Sequence, residues 1–249
     1  MFTPTDWQQR FEVQSAWTRD LRRYWIERMR LPADARVLEV GSGTGAIIKD
    51  TPFAPGTRQF GLDINFDYLR ISNTNNPSAA HIQANGISIP FACSSFNLVY
   101  CHYLLLWLAD PITVLREMRR VVSPQGFVAA FAEPDYGGRV DYPPPQDELG
   151  RAQTLALRAQ GADPLIGRKL LHLFQQAGFS HVETGVIGAQ WSIPQPDADA
   201  QSEEDMLRHD LAPLLTADRL EELLRANHQA LRQNHRVLYL PTFYACAQV

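Results

Sequence analysis

The chain has 249 residues, with 23 basic and 27 acidic side chains and a formal net charge of −4 at pH 7. Its hydrophobic fraction of 45% is ordinary for a globular protein and excludes a disordered or fibrous chain. The acidic balance is unsuited to a wide phosphate-binding surface, so we expect no nucleic-acid partner. The apolar segments are too short for a membrane span, and the N-terminus lacks the apolar core of a secretory signal. We therefore expect a cytoplasmic protein.

Apolar residues recur at three- and four-residue intervals through the first thirty residues, which predicts one N-terminal helix that ends at Leu31-Pro32. Short apolar segments then alternate with helical patterns. Five segments are predicted strands: Arg36–Val40, Arg58–Leu62, His81–Ala84, Asn97–Cys101 and Phe127–Ala132. This alternation over about a hundred residues predicts an α/β protein with a doubly wound, mostly parallel sheet and helices on both faces.

Helices are predicted between these strands at three places. The first covers Thr44–Lys49, the second is capped by Asn65, and the third covers Pro111–Val122 with apolar residues on one face and charged residues on the other. The segment Ser123-Pro124-Gln125-Gly126 is predicted to stop the third helix and to turn the chain into the next strand.

The final third of the chain differs in character. Three consecutive prolines predict a surface connection over Gly138–Gln146. The other predicted elements are a helix over Ile166–Ala177, an extended segment over His181–Ile193, a capping box at Ser202–Asp205, helices over Leu207–Leu215 and Thr216–Leu231, and a strand over Val237–Val249. Two long strands joined by a helical insertion predict an antiparallel pair at one sheet edge.

The glycine-rich loop Gly41–Gly45 follows the first predicted strand, within the string Val37-Leu38-Glu39-Val40-Gly41-Ser42-Gly43-Thr44-Gly45. Glycines let the backbone bend sharply and approach a ligand, and free amides at a helix start favour a polar or anionic group. The spacing also fits the dinucleotide pattern G-x-G-x-x-A, through Ala46. The loop therefore predicts a nucleotide-type ligand and leaves its class open.

Two acidic residues bear on the class of ligand. Glu39 lies two residues before the first glycine, where a carboxylate would repel a pyrophosphate but attract a ligand that carries an ammonium and a sulfonium. Asp63 ends the next strand, close to the roughly 20-residue offset at which a carboxylate accepts both ribose hydroxyls. Glu39 favours a sulfonium nucleotide, whereas Asp63 suits both ligand classes.

The glycine loop, Gly61-Leu62-Asp63, Ala84–Phe91 and Phe96–Cys101 together resemble the class I S-adenosylmethionine-dependent methyltransferases. The closest resemblance is to the small-molecule branch that includes the ubiquinone and menaquinone biosynthesis enzymes, and it covers about residues 36–136. It implies a Rossmann-like seven-stranded sheet whose last strand is antiparallel. It also implies S-adenosyl-L-methionine as cofactor, S-adenosyl-L-homocysteine as product and a small molecule as methyl acceptor.

The resemblance implies roles for two groups of cofactor-binding residues. Around the methionine part it places the loop residues Gly41, Ser42, Gly43 and Gly45, with Glu39 beneath the loop. Around the nucleoside it places Asp63 on the ribose hydroxyls, Ile64 against the adenine, Asn85 on the adenine amino group, and Gly86 and Ile87 in contact beside it. Asn85 departs from the family, which usually has an aspartate there; an amide oxygen can still accept the bond, without the charge.

Methyl transfer from a sulfonium is an in-line displacement, which requires positioning rather than a dedicated nucleophile. A general base can add to the rate when the acceptor is a hydroxyl or an acidic carbon. The residues in the predicted cleft are Cys101 on the cofactor side and the base candidates His102, Glu133, Asp135 and Tyr136. Each candidate also fits a structural role at a strand end.

We predict one methyltransferase domain over residues 1–249. Within it, the resemblance implies an N-terminal helical cap (1–31), a cofactor-binding core (36–136) and a helical insertion over the acceptor pocket (195–235). No metal is expected, because the histidines lack the paired helical spacing of a metal site. Two alternatives remain open: a cofactor-binding but catalytically inactive partner subunit, and an NAD(P)-dependent dehydrogenase. The oligomeric state is undetermined.

Overall fold

The computed structural model of the chain describes residues 4–188 and 197–249. The end of the predicted strand His181–Ile193 and the first two residues of the predicted insertion 195–235 lie outside the described residues. The strands, in chain order, are β1 (Arg36–Val40), β2 (Arg58–Asp63), β3 (Ala80–Gln83), β4 (Phe96–Cys101), β5 (Val122–Pro134), β6 (Val140–Tyr142), β7 (Val182–Gly188), β8 (Val237–Tyr239) and β9 (Pro241–Gln248).

Nine α-helices lie within the described ranges: α1 (Pro4–Trp17), α2 (Arg19–Met29), α3 (Ala46–Asp50), α4 (Phe66–Asn75), α5 (Pro111–Val121), α6 (Pro145–Ala159), α7 (Leu170–Gln176), α8 (Asp197–Leu211) and α9 (Ala217–Arg232). None of them is long and apolar enough to cross a bilayer. Comparison of these bounds with the predictions shows that the five strands and three helices predicted between residues 36 and 132 are present, with small differences at their ends.

The main sheet has seven strands in the order β3-β2-β1-β4-β5-β9-β7. Strands β1 to β5 pair in parallel, whereas β9 is antiparallel to both β5 and β7. The predicted fold class is confirmed, including the antiparallel last strand. The parallel pairing places the carboxyl ends of β1, β2, β4 and β5 at one edge of the sheet, where ligands bind in open α/β sheets.

Helices cover both faces of the sheet. The buried face of α5 consists of Val114, Leu115, Met118 and Val121, which pack into the larger core cluster. On the opposite face, Trp25 of α2 is buried against the sheet together with other residues of that helix. Both faces of β1, β4 and the central part of β5 are consequently buried, as the nearly continuous apolar sequence of these strands predicts.

The N-terminal segment forms two helices rather than the predicted one. The break lies at Thr18, whose backbone leaves the helical region at φ −111° and ψ 6°. The Thr18 hydroxyl is 2.8 Å from His102 Nε2, so this residue is tied to the end of β4. Helix α2 packs on the sheet, whereas α1 turns away and lines a cavity above it.

Three predictions for the later part of the chain were wrong in detail. Ser123-Pro124-Gln125-Gly126 lies inside β5 as an irregular segment, with Gln125 at φ +66°. The proline-rich connection contains β6 and leads directly into α6, which the sequence did not predict. The proposed capping box at Ser202–Asp205 lies within α8, which begins at Asp197. By contrast, Thr216 does cap α9, by accepting a bond from the Arg219 amide.

The cap of α4 gives the first test. The Asn65 side chain accepts bonds from the amides of Asp67 and Tyr68 at the start of the helix. We expect Asn65→Ala to lower the free energy of unfolding by about 1 kcal/mol, the usual value of such a cap, in urea denaturation. Asn73→Ala, at an exposed position within the same helix, should have no destabilising effect. Equal losses in both variants would contradict the capping role.

Candidate functional site

A cavity of about 430 Å³ lies above the carboxyl ends of the parallel strands. Its floor is formed by the glycine loop and by residues at the ends of β2, β4 and β5, including Asp63, His102 and Tyr136. Its roof comes from three helices. These contribute Trp7, Arg10, Phe11, Gln14 and Trp17 from α1, Gln153 and Leu157 from α6, and Met206 and Asp210 from α8.

The glycine loop is held in shape by backbone geometry and by one carboxylate. Gly41 has φ +75°, and a Cβ there would lie 2.6 Å from Leu104 Cδ1. The amides of Gly41 and Ser42 donate to the carbonyl oxygen of Leu62 at 2.7 and 3.0 Å. The Gly43 amide donates to Asp63 Oδ2 at 2.8 Å. The loop therefore needs glycine at residue 41 and is fixed to the end of β2.

Glu39 is buried beneath the loop and lines the cavity. Its carboxylate accepts a bond from the Tyr100 hydroxyl at 3.4 Å. Burial raises the pKa of Glu39 well above its ordinary value, and the nearby Arg22 guanidinium opposes that rise. A cation bound above Glu39 would favour its ionised form in the same way.

Ser42 lines the cavity, but its hydroxyl oxygen is buried and has no hydrogen-bond partner among the described residues. A Cβ at Gly61 would lie 2.8 Å from this oxygen, so the hydroxyl faces β2 rather than the cavity. Ser42 therefore contributes its backbone to the cavity wall. The polar loop and Asp63 beside it match the donor and acceptor set that an amino acid linked to a nucleoside requires.

The residues predicted around the adenine lie at the ends of β2 and β3. Ile64 and Ile87 are exposed apolar side chains, 66% and 50% accessible. Asn85 Oδ1 accepts a bond from the Ile87 amide at 3.1 Å, and the Gly86 position is closed in by Val40 and Val114. Two large apolar side chains left in solvent beside a strand end are typical of a surface that receives a flat ligand.

The predicted cofactor residues therefore divide into two groups. Glu39, Gly41, Ser42, Gly43 and Asp63 line the cavity. Gly45, Ile64, Asn85, Gly86, Ile87 and Cys101 are not among its lining residues. Cys101 is fully buried within β4, where burial raises the pKa of its thiol. Its place within the core gives it a packing role.

Of the four base candidates, the structure brings only His102 and Tyr136 to the cavity wall. The His102 ring is buried, and its Nε2 atom is hydrogen-bonded to the Thr18 hydroxyl. Burial, aided by the positive charge of Arg22, holds the pKa of His102 well below its ordinary value. Burial raises the pKa of Tyr136, so its hydroxyl remains protonated at neutral pH and acts as a hydrogen-bond donor.

Glu133 is turned away from the cavity. Its buried carboxylate accepts bonds from the amides of Leu104, Leu105 and Leu106 at 3.0, 2.8 and 3.2 Å. These bonds fix the turn that follows β4, and burial raises the pKa of Glu133 to about 8 against their effect. The geometry gives Glu133 a positioning role and removes it from the base candidates.

Asp135 is likewise engaged elsewhere. Its carboxylate is paired with Arg168, whose Nη2 atom lies 2.7 Å from Oδ1, and it accepts a bond from the Gly137 amide at 2.9 Å. The side chain is buried and does not line the cavity. Asp135 therefore anchors the turn after β5 and is also removed from the base candidates.

Several polar residues of the cavity were missed by sequence reasoning: Arg10, Tyr103, Gln153, Gln160 and Asp210. Gln153 and Gln160 lie on or beside α6, whose apolar positions Leu149, Ala152 and Ala156 follow a three- to four-residue spacing that could have revealed this helix. No pattern marked Arg10, because the polar residues of α1 resemble an ordinary solvated helix face.

Comparison with known proteins finds a family model that is similar to part of the chain. Residues 38–130 match the model of a methyltransferase domain. A demethylmenaquinone methyltransferase of Paenarthrobacter aurescens is 28% identical over 120 residues, which cover 47% of this chain and 47% of that protein. The ubiquinone/menaquinone biosynthesis C-methyltransferase UbiE of Stenotrophomonas maltophilia is 33% identical over 132 residues, covering 49% and 50%. The chain spans about half the length of the curated relatives it matches.

A similarity in fold extends over more of the chain. The structure of Haemonchus contortus phosphoethanolamine N-methyltransferase 2, in complex with phosphomonomethylethanolamine and S-adenosylhomocysteine, aligns with a TM-score of 0.58 at 13% identity. The alignment covers 92% of this chain and 52% of that one. The fold is therefore shared beyond the matched domain, and the domain match favours a methyl-donor nucleotide over a dinucleotide.

The role of Glu133 gives a stability prediction. Glu133→Gln replaces one acceptor oxygen by an amide NH2 group that faces backbone donors. We expect a loss of about 2 to 4 kcal/mol in the free energy of unfolding, because the new NH2 group faces buried backbone N–H donors and leaves them without an acceptor. Urea denaturation measures this loss. Glu27→Gln, on the exposed side of α2, serves as control and should change the free energy by less than about 0.5 kcal/mol.

The pKa shift of His102 predicts a pH dependence of stability. The pKa of His102 lies well below 6.5 in the folded protein, whereas 6.5 is the ordinary value of a histidine in an unfolded chain. At a pH between these two pKa values, the unfolded chain therefore binds a proton that the folded chain does not bind. The contribution of His102 to the free energy of unfolding is therefore fully present above pH 6.5 and decreases as the pH falls below that value. Between pH 7.5 and 5.5 we expect His102 to account for a loss of about 1.4 kcal/mol.

The measurement is urea denaturation at both pH values for the wild type, His102→Gln and His172→Gln. His102→Gln should reduce the pH dependence by about 1.4 kcal/mol. His172 is exposed on α7, so its substitution should leave the dependence unchanged. An unaltered pH dependence in His102→Gln would contradict a neutral buried histidine.

Proposed function

We propose that this chain is a class I S-adenosylmethionine-dependent methyltransferase, as the matched domain and the curated relatives indicate, and that it transfers the methyl group of S-adenosyl-L-methionine to a small-molecule acceptor. The observation that carries the proposal is the continuous cavity between the glycine loop and the helical roof. It joins a cofactor half, with Gly41, Ser42 and Asp63, to a second half that lies beneath the residues of α6 and α8.

The cofactor residues would act as follows. The loop from Gly41 to Gly43 would hold the methionine part, above Glu39. Asp63, whose Oδ2 accepts the Gly43 amide and whose Oδ1 accepts the Asn65 amide, would accept the ribose hydroxyls at its remaining lone pairs. Ile64 and Ile87 would pack on the adenine beside Asn85. When bound, the cofactor supplies a methyl group on a sulfonium.

The protein would contribute mainly by positioning and by excluding water. Holding donor and acceptor close and aligned can account for roughly 7 to 11 kcal/mol of the barrier. Trp7, Phe11 and Trp17 line the roof on the side of α1, which fits an enclosed acceptor of small size. The curated relatives, with names that refer to menaquinone and ubiquinone biosynthesis, support a small-molecule acceptor.

His102 is the favoured base if the acceptor must lose a proton. It lines the cavity, and its low pKa keeps the ring unprotonated at pH 7, although the same low pKa makes it a weak base. Tyr136, which stays protonated, would orient the acceptor by donating a hydrogen bond. The bond to Thr18 would hold the His102 ring in one orientation.

The proposal predicts binding of the product S-adenosyl-L-homocysteine to the purified chain. Calorimetric titration should show one site in the wild type. Asp63→Ala should weaken binding at least tenfold, because hydrogen bonds from the ribose to a charged group are lost. Asp67→Ala, at an exposed position only four residues away on α4, should bind as the wild type does.

The same titration with NADH separates the alternatives. Binding of NADH without S-adenosyl-L-homocysteine would overturn the proposal in favour of a dehydrogenase. Binding of S-adenosyl-L-homocysteine that is equally strong in Asp63→Ala would contradict the assigned ribose contact. Thermal unfolding of each variant distinguishes a lost contact from a lost fold.

A further inference from the structure

Arg10 is a buried cation on the wall of the cavity. It lies on α1 with only 6% of its surface accessible, and its guanidinium carbon is 5.2 Å from the centre of the Trp17 ring. Its Nε atom is buried without a hydrogen-bond partner in residues 4–188 and 197–249. Within those ranges no carboxylate forms an ion pair with it.

The carboxylates on the roof near Arg10 are bound to other groups. The positive charge of Arg10 contributes to lowering the pKa of Glu203. The Glu203 carboxylate itself accepts bonds from Arg236 Nη1 and Nη2 at 2.7 and 2.5 Å. Asp210 accepts a bond from Gln160 Nε2 at 3.2 Å and lies 3.2 Å from His209 Nδ1. Neither carboxylate neutralises the guanidinium by direct contact.

A buried guanidinium without a counterion is costly, because removal from water is not offset by an ion pair. The cation–π contact with Trp17 offsets only part of this cost. In Arg22 and Arg236, the other buried arginines described, a carboxylate is in direct contact. Arg10 therefore differs from them in facing a cavity with its charge unpaired.

Two hydroxyls lie in the same part of the cavity. The hydroxyls of Tyr103 and Tyr136 are both influenced by the charge of Arg10, and burial raises the pKa of both. The Tyr103 hydroxyl lies 3.5 Å from Thr242 Oγ1, and either atom can be the donor of that bond, so both phenols can donate to an oxygen atom of a ligand. A guanidinium with two phenolic donors is a typical environment for an anionic oxygen group, and Arg binds carboxylates with paired hydrogen bonds.

We propose that Arg10 binds a carboxylate on the methyl acceptor and so makes the enzyme specific for an anionic small molecule. The inference rests on the proposed function and adds the chemical class of the acceptor. Arg10 and Trp17 lie on the roof side of the cavity, Tyr103 and Tyr136 lie on the floor at the ends of β4 and β5, and the cofactor half is formed by the loop above Glu39. The flat aromatic walls favour a planar acceptor.

The test compares benzoate with benzamide, a neutral molecule of nearly the same shape, as probes of the wild-type protein saturated with S-adenosyl-L-homocysteine. We expect benzoate to bind at least tenfold more tightly, the usual effect of one hydrogen bond to a charged group. Arg10→Gln should abolish the preference. Arg10→Lys should retain a reduced preference, because it keeps the charge but loses the paired donors.

Arg23→Gln is the matched control, since Arg23 is an exposed arginine on α2 away from the cavity. It should preserve the full preference for benzoate. Equal binding of the two probes to the wild type, or an unchanged preference in Arg10→Gln, would overturn the proposal. So would a tenfold loss of S-adenosyl-L-homocysteine affinity in Arg10→Gln with the preference intact, which would assign Arg10 to the cofactor carboxylate.

A measurement on the wild type covers the case in which Arg10→Gln does not fold. The Nε–H resonance of Arg10, assigned by its loss in Arg10→Lys, should shift on addition of benzoate and not of benzamide. An unmoved resonance would overturn the proposal. If the wild type does not bind S-adenosyl-L-homocysteine, the proposed function fails. Titration with benzoate and benzamide in the absence of S-adenosyl-L-homocysteine then still tests whether Arg10 binds a carboxylate.

Discussion

The parallel pairing of β1 with β2 and β4 is the constraint on which the candidate site depends. This register aligns Glu39 with Gly61 and with Tyr100, so the loops after all three strands begin at one level of the sheet. The carbonyl oxygen of Leu62 then receives two amides of the glycine loop, and Asp63 receives a third. A shift of one residue would remove these bonds and direct the buried side chains of β1 to the opposite faces.

Buried carboxylates at the strand ends serve mainly to hold the backbone. Glu133 fixes the turn after β4, and Asp135, after β5, pairs with Arg168. Such residues have the location that catalytic acids have in many α/β enzymes. Their hydrogen bonds, rather than their positions, distinguish them, because a carboxylate saturated by amides or by a guanidinium presents no free oxygen to an acceptor.

The sequence predicted the core of the fold because local patterns and tertiary structure agree there. Continuous apolar residues in β4 and β5, the alternating glycines after β1 and the cap at Asn65 each specify their own conformation. Helix α6 was missed because the prolines before it indicated an irregular segment, yet Pro145 begins the helix as proline often does. The split at Thr18 was missed because it depends on a contact with His102, 84 residues further along the chain.

The roof of the site was the least predictable part for the same reason. Whether Arg10 lies in water or in a cavity is decided by the packing of α1 against α3, α4 and α8, and no local pattern encodes those contacts. The cavity residues Tyr103 and Asp210 were likewise hidden by their ordinary sequence surroundings. Local sequence patterns do not predict the surroundings of a side chain when those surroundings are formed by elements that are distant in the chain.

The distribution of charge in the cavity bears on the chemistry that we propose. Glu39 lies beneath the loop that would hold the sulfonium, and Arg10 lies on the roof side, where the acceptor would bind. When a deprotonated atom of the acceptor attacks the methyl carbon, its negative charge and the positive charge of the sulfonium cancel as the new bond forms and the bond from sulfur to the methyl carbon breaks. An environment of low dielectric constant stabilises separated charges less than it stabilises their neutral product, so enclosure by α1, α6 and α8 would favour the reaction. Arg10 would then have to bind a group of the acceptor other than the attacking atom, because a guanidinium on that atom would withdraw the charge that the displacement requires.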